Sequence, residues 1–202
     1  MKRLLAATQN PGKLSEIVSI LSPYGFDVTS PLELGLRVEV VEDGRSFREN
    51  ALKKALAYHR ASGMLTLADD SGLVIDALDG APGVLSSRFL GEKTSYAEKM
   101  KEILETLESV PDEERTARFI CEVAIVKDED NIWFAHGVLE ATVARSPSGK
   151  GGFGYDPIFY LPDTGKTLAE LTPKEKNSIS HRGQALREAA RILVRLIETG
   201  EI

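Results

Sequence analysis

Two aspartates stand side by side in "LADDSGL", residues 67–73, at the end of an apolar run. Side chains alternate along a strand, so Asp69 and Asp70 cannot face the same way, and at least one projects into whatever lies at the strand end. Carboxylate oxygens are hard donors, and Mg2+ takes one or two of them together with water and phosphate oxygens. Glu42 or Asp43 in "VEDG" offers a second carboxylate. Asp, Ser and Gly are also turn formers, so an Asx-rich turn stands beside the metal reading.

A second stretch, "ATQNPGKL", residues 7–14, lies between an apolar run and a helix-like segment. Helix N-termini attract anions through their free amides, and Thr8, Asn10 and Lys13 could contact a phosphate or ribose there. A Walker A loop would need glycine at residue 7 and a hydroxyl at residue 14, where Ala7 and Leu14 stand, so this is no P-loop. An ordinary strand–helix turn with a solvated lysine is the simpler account. "KGGFGYDPIF", residues 150–159, lets a backbone approach a ligand closely. Phe153 or Tyr155 could stack on a planar base there; a β-turn with core aromatics is the alternative. "SHRGQA", residues 180–185, sets His181 and Arg182 at a helix start ahead of the apolar stripe, which places them outside the core or at a solvated helix end. Gly183 costs a helix about 1 kcal/mol relative to Ala, which suggests close packing or ligand approach. The three histidines lack zinc-ligand spacing. There is no G-x-S-x-G, and Cys121 lies mid-strand, so no nucleophilic triad is apparent.

To position these residues, a strand over 2–7 must feed the first loop. Leu14, Ile17, Val18 and Leu21 recur at helical spacing, and Pro23 with Gly25 ends that helix. "FDVTS" reads as a short strand. Ser46 and Glu49 have capping-box spacing, and Phe47, Ala51, Ala55 and Tyr58 form the buried face of the helix that follows. Asn50 and Lys54, one turn apart, share a face of it. "MLTLA" is a buried strand that runs into "DDSG". Residues 80–93 form a glycine-rich loop, and residues 95–108 an amphipathic helix with Met100, Ile103, Leu104 and Leu107 inward. Two alternating segments follow, carrying Phe119, Cys121, Val123 and Ile125, then Trp133, Ala135, Leu139, Ala141 and Val143. "KDEDN" joins them as a hairpin. Thr172, Pro173 and Glu175 mark a helix start. The last helix runs from about Ser180 to Glu198, with Leu186, Ala189, Leu193, Val194 and Ile197 as its stripe. This order predicts an α/β fold, with a mixed central sheet flanked by helices and a long hairpin inserted, in a single domain over residues 1–202.

The chain has 202 residues, 42% of them hydrophobic, enough for one domain with a sizeable core. A net charge of -6 argues against sequence-independent binding to nucleic acid. It leaves room for a small anion where a few Lys and Arg converge. One cysteine fits a reducing compartment. The N-terminal apolar run is too short for a signal peptide, and no stretch approaches the ~20 apolar residues that cross a bilayer. A soluble cytoplasmic protein is expected, without membrane or nucleic-acid partners.

Six ordered stretches together resemble one family, the inosine triphosphate pyrophosphatases, or XTP/dITP diphosphatases. "TQNPGKLSE" resembles their T/S-x-N-x-x-K-x-x-E opening, and "EDGRSFRENALKKA" their E-x-G-x-[ST]-F-x-E-N-A-x-x-K-A segment. "LADDSGL", "GAPGVLSSRF", "GGFGYDPIF" and "EKNSISHRGQA" match the rest, over nearly the whole chain. Gln9, in place of a small residue, and Asp43, in place of Thr, are the departures.

The resemblance implies an elongated two-lobed α/β domain with a cleft between the lobes, a homodimer, and Mg2+-dependent hydrolysis of a nucleoside triphosphate to monophosphate and pyrophosphate. The family prefers ITP, dITP and XTP, which would remove deaminated purines from the nucleotide pool. Residue by residue, it implies that Glu42 and Asp70 hold the metal and that Asp70 is the general base, with Asp69 auxiliary. Thr8, Gln9, Asn10, Pro11, Gly12, Lys13, Lys54, Ser71, Arg88 and Lys176 would contact the nucleotide, the three lysines at its triphosphate. Phe153, Gly154, Tyr155, Asp156, His181 and Arg182 would serve the base, Phe153 by stacking and Arg182 as a donor to a 6-oxo group. A related diphosphatase acting on modified pyrimidines, and a nucleotide sensor without turnover, are the competing readings.

Overall fold

Leu4, Leu5 and Ala6 make the N-terminal run apolar, and they are fully buried at the end of the first strand, β1 (Lys2–Ala6). The computed structural model describes residues 2–202. After β1 come α1 (Pro11–Leu21), β2 (Phe26–Thr29), α2 (Phe47–Ser62), β3 (Thr66–Ile75), α3 (Tyr96–Thr106), β4 (Thr116–Val126) and β5 (Ile132–Val143). β6 (Phe159–Leu161), β7 (Lys166–Thr167), α4 (Pro173–Ile179) and α5 (His181–Glu198) complete the chain. The seven strands form one sheet in the order β2-β1-β3-β4-β5-β6-β7. β1 pairs in parallel with β2 and β3, and β6 pairs antiparallel with β5 and β7. The sheet is mixed and the architecture α/β, as the order of elements predicts.

By its contacts the chain divides into two compact units. The first holds residues up to Asp70, Cys121–Gly137 and His181–Ile202. Alternating strand residues build an apolar layer on each face of its sheet. Leu4, Ala6, Leu67, Cys121 and Val123 pack with Ile17 of α1 and Leu186, Ala189 and Leu193 of α5. Leu5, Ala7, Ala68, Ala124 and Val126 pack with Ala51, Ala55 and Tyr58 of α2.

The second unit holds Ser71–Ile120 and Val138–Ser180. Its core gathers Leu73, Ile75, Met100, Ile103, Leu107, Phe119 and Phe159. Inside it Arg115, only 2% exposed, donates to the carbonyls of Leu107, Val143 and Ala144. Those three acceptors lie just past α3 and at the end of β5, and the guanidinium fork supplies three donors at once.

Three local expectations change. β3 does not stop at "DDSG" but continues through it to Ile75. The stripe of α5 rotates near its end, so Leu196 is buried and Ile197 exposed. In α2, Ser46 accepts from the Glu49 amide, but the Glu49 carboxylate reaches the Arg45 amide, so only half of the capping box forms. By contrast, α3 and α4 start on complete capping boxes, Ser95–Glu98 and Thr172–Glu175.

Candidate active site

Because β3 runs straight through "DDSG", its pleat sends the two aspartates to opposite faces of the sheet. Asp69 shares the α1/α5 face with Leu67, and Asp70 the α2 face with Ala68. The Asx-turn alternative is thereby set aside: both carboxylates belong to a ladder strand and both are buried.

On the α2 face, Lys54 donates to Glu42 Oε2 at 2.9 Å and to Asp70 Oδ1 at 3.4 Å. Asn50, one turn earlier, is fully buried; its Nδ2 donates to Asp70 Oδ2 at 3.1 Å, and its Oδ1 accepts from the Gly44 amide at 2.8 Å. Burial pushes the Asp70 carboxyl above the ordinary aspartate range; Lys54 and Lys13 oppose that shift and Glu42 adds to it. Burial would lower the Lys54 ammonium, but Asp70, Glu42 and Asp69 outweigh it, so Lys54 stays charged. The result is a buried carboxylate with enhanced proton affinity beside a fixed cation.

On the α1/α5 face, Asp69 Oδ2 accepts from Lys13 Nζ at 3.0 Å and Arg182 Nε at 3.1 Å, with Cys121 Sγ at 3.9 Å. Arg182 Nη1 donates to Glu16 at 2.8 Å. Burial alone would raise the Asp69 carboxyl, but Lys13, Arg182 and Lys54 hold it well below the ordinary range. His181 and Arg182, expected outside the core, are 4% and 2% exposed. The physical reason lies 113 residues away in sequence: a buried carboxylate that a buried guanidinium neutralises. Gly137 of β5 lets α5 start there, since a Cβ on it would lie 2.1 Å from the His181 carbonyl oxygen.

Between β1 and α1, Asn10 caps the helix: its Oδ1 accepts from the Lys13 amide at 3.1 Å, and Thr8 Oγ1 accepts from the Asn10 amide. Pro11 takes the first helical position, Gly12 follows, and Gln9 donates to the Tyr58 hydroxyl. The loop thus presents a helix N-terminus with Lys13 folded toward Asp69.

In the second unit, Lys176 of α4 donates to Asp156 Oδ2 at 2.7 Å and lies 4.4 Å from the centre of the Phe153 ring. Asp156 also accepts from the Phe153 amide. Gly152 is required here, since a Cβ on it would meet Asp156 Oδ2 at 2.0 Å. Tyr155 is a core residue: its hydroxyl donates to the Ser86 carbonyl and its ring meets Tyr96 edge-on. Phe153 is half-buried, Gly154 adopts positive φ beside Tyr96, and Arg88 follows the turn Gly83–Leu85. Ser71 follows Asp70 in β3.

Glu42 and Asp70 come from different elements and converge on one cation, the Lys54 ammonium. Their hard oxygens fit a divalent ion that takes one or two carboxylates and completes its shell with water and phosphate. No cluster of three His, Cys, Asp or Glu is gathered for a metal among the described residues, so a site held by protein groups alone does not fit. Asp69 Oδ1, buried on the other face, has no hydrogen-bond partner among the described residues.

Residues 4–192 match the Ham1 family. The chain belongs to it. A dITP/XTP pyrophosphatase of Desulforamulus reducens is 50% identical over 194 residues, 96% of each chain. One of Bacillus subtilis is 45% identical, covering 96% of this chain and 98% of the relative. The solved structure of a HAM1 protein from Coxiella burnetii superposes with a TM-score of 0.87 at 43% identity, covering 96% of this chain and all of that one. The resemblance carried by the six stretches is borne out, and so is the mixed α/β fold. Sequence reading paired Asn50 with Lys54 on one face but gave Asn50 no role. Glu16 closes the T/S-x-N-x-x-K-x-x-E match but was given no role either, because its ion pair with Arg182 joins α1 to α5 across the length of the chain.

Proposed function

We propose that this protein hydrolyses non-standard purine nucleoside triphosphates, ITP, dITP and XTP, to the monophosphate and pyrophosphate. The observation that carries the reading is the arrangement of Glu42, Lys54 and Asp70 about one point, in a family whose members include dITP/XTP pyrophosphatases. Water adds to the α-phosphorus, the bridging α–β P–O bond breaks, and pyrophosphate leaves. Asp70 takes the proton of the attacking water, a role its raised proton affinity suits. Lys54 and Lys13 lie beside the two aspartates, and the α1 N-terminus adds free amides for phosphate. Glu42 and Asp70 would hold Mg2+, which when bound neutralises phosphate charge and lowers the pKa of a coordinated water.

For the base, Phe153 offers a ring face, and Asp156 with Lys176 a buried charged pair beside it. His181 and Arg182 carry the donors that the family pattern assigns to the purine edge. A 6-oxo purine presents an acceptor where adenine presents a donor, and such a mismatch discriminates strongly. The homodimer, the Mg2+ requirement and the cytoplasmic location belong to the same proposal. No helix among the described residues is long and apolar enough to cross a membrane.

Product analysis tests the reading. ITP and XTP with Mg2+ should give monophosphate and pyrophosphate, with ATP, UTP and dTTP much slower. Orthophosphate as the product, or faster turnover of the pyrimidine nucleotides, would overturn it.

A further inference from the structure

Asn50 is an unusual choice for its place. It sits in the first turns of α2 with no solvent exposure, where a carboxamide without partners would be left desolvated and unpaired. Its partners explain it. One end accepts from the Gly44 amide and the other donates to Asp70 Oδ2. The loop carrying Glu42 and the strand carrying Asp70 are therefore tied by a single side chain. Gly44 completes the fit: a Cβ there would stand 2.5 Å from Asn50 Oδ1 and 2.9 Å from Glu49 Cβ.

Lys54 joins the same two elements, but differently. It binds by charge, to Glu42 Oε2 and Asp70 Oδ1. A divalent cation competes for such oxygens. Asn50 binds as a neutral group, to the other Asp70 oxygen and to a backbone amide. Its hold does not depend on charge at Glu42 or on Asp70 Oδ1.

We propose that Asn50 is a positioning residue that keeps Asp70 and the Glu42–Gly44 loop in one register, so that both carboxylates can serve one divalent cation. The proposal rests on the pyrophosphatase reading above. Partners of this kind, standing behind the ligands, typically change metal affinity or activity by about 10–100-fold when removed.

Two variants break the tie from opposite ends, Asn50→Ala and Gly44→Ala. Mn2+ alone is titrated calorimetrically into each nucleotide-free protein, and kcat and KM for ITP are measured at saturating metal. Mn2+ binding should weaken by about 10–100-fold and kcat fall over the same range, with KM for ITP within about threefold of the parent. Mn2+ affinity and kcat within twofold of the parent in a folded variant would overturn the proposal, even if melting temperature falls. If Asn50→Ala does not fold, Gly44→Ala decides by the same criteria. An unmodified protein that releases no pyrophosphate from ITP fails the functional reading instead, and the Mn2+ titration still judges Asn50.

Discussion

Asp69 and Asp70 differ by one position and by the whole of their surroundings. Asp70 faces Asn50 and Lys54 and binds its proton more tightly than an ordinary aspartate, burial being the main cause. Asp70→Asn keeps the shape and the Asn50 neighbourhood but loses the base. It should still bind ITP while pyrophosphate release disappears in a phosphate-product assay, and undiminished release would remove Asp70 from the chemistry. Asp69 is an ion-pair centre, and Arg182 is its buried counter-charge. Breaking a buried pair from one side costs about 3–5 kcal/mol. Arg182→Ala should therefore lower the melting temperature by roughly 6–20 °C by calorimetry, at about 2–4 °C per kcal/mol for a chain of this size. An unchanged melting temperature would mean the pair contributes nothing. The strand alternation made the divergence of the two aspartates legible from sequence. The partners of Asp69 were not, because Lys13 and Arg182 reach it from two helices at opposite ends of the chain, with Glu16 holding Arg182 from the first of them.

At the scale of elements, helix starts were the most legible features, because their determinants are local. Thr172, Pro173 and Glu175 open α4 as their spacing predicts. The end of "MLTLA" was misjudged for a reason of the same kind. Asp, Ser and Gly favour turns locally, yet β3 continues because its carboxylates find buried cations on both faces, and tertiary partners override propensity. The junction of β5 with α5 depends on Gly137, where the backbone of the helix start fills the space a Cβ would take. Gly137→Ala meets backbone atoms that cannot rotate away. It should cost about 1–3 kcal/mol and move the start of α5, which carries His181 and Arg182. A lowered melting temperature together with reduced preference for ITP over ATP is expected. Loss of stability with unchanged preference would show that the helix start tolerates the shift.

The whole molecule is acidic, with a net charge of -6, but the buried carboxylates Asp69, Asp70 and Asp156 each lie beside a cation, and these pairs shape its response to pH. Asp69 is held ionised well below the ordinary range. Its stabilising contribution is complete above the unfolded aspartate pKa of ~3.9 and disappears as the pH falls below it. In chelator-treated protein, the melting temperature should drop on acidification below about pH 4, and less steeply for Asp69→Asn; equal slopes would remove Asp69 from the acid response. Composition alone made a substantial core legible, but not the division into two units, three of whose boundaries fall inside β3, β4 and β5 and the fourth at the junction of α4 and α5. Beneath Asp69 lies Cys121, the sole cysteine, fully buried, with burial and then Asp69 pushing its thiol pKa up. Alkylating reagents attack the thiolate, so labelling must wait for the first unit to open. Its rate in native buffer becomes a gauge of that opening. Any nucleotide that binds the folded state should slow labelling in proportion to its occupancy. In Asp70→Asn, which is expected to bind without turnover, a maleimide and a stopwatch would then rank ITP against ATP by affinity alone.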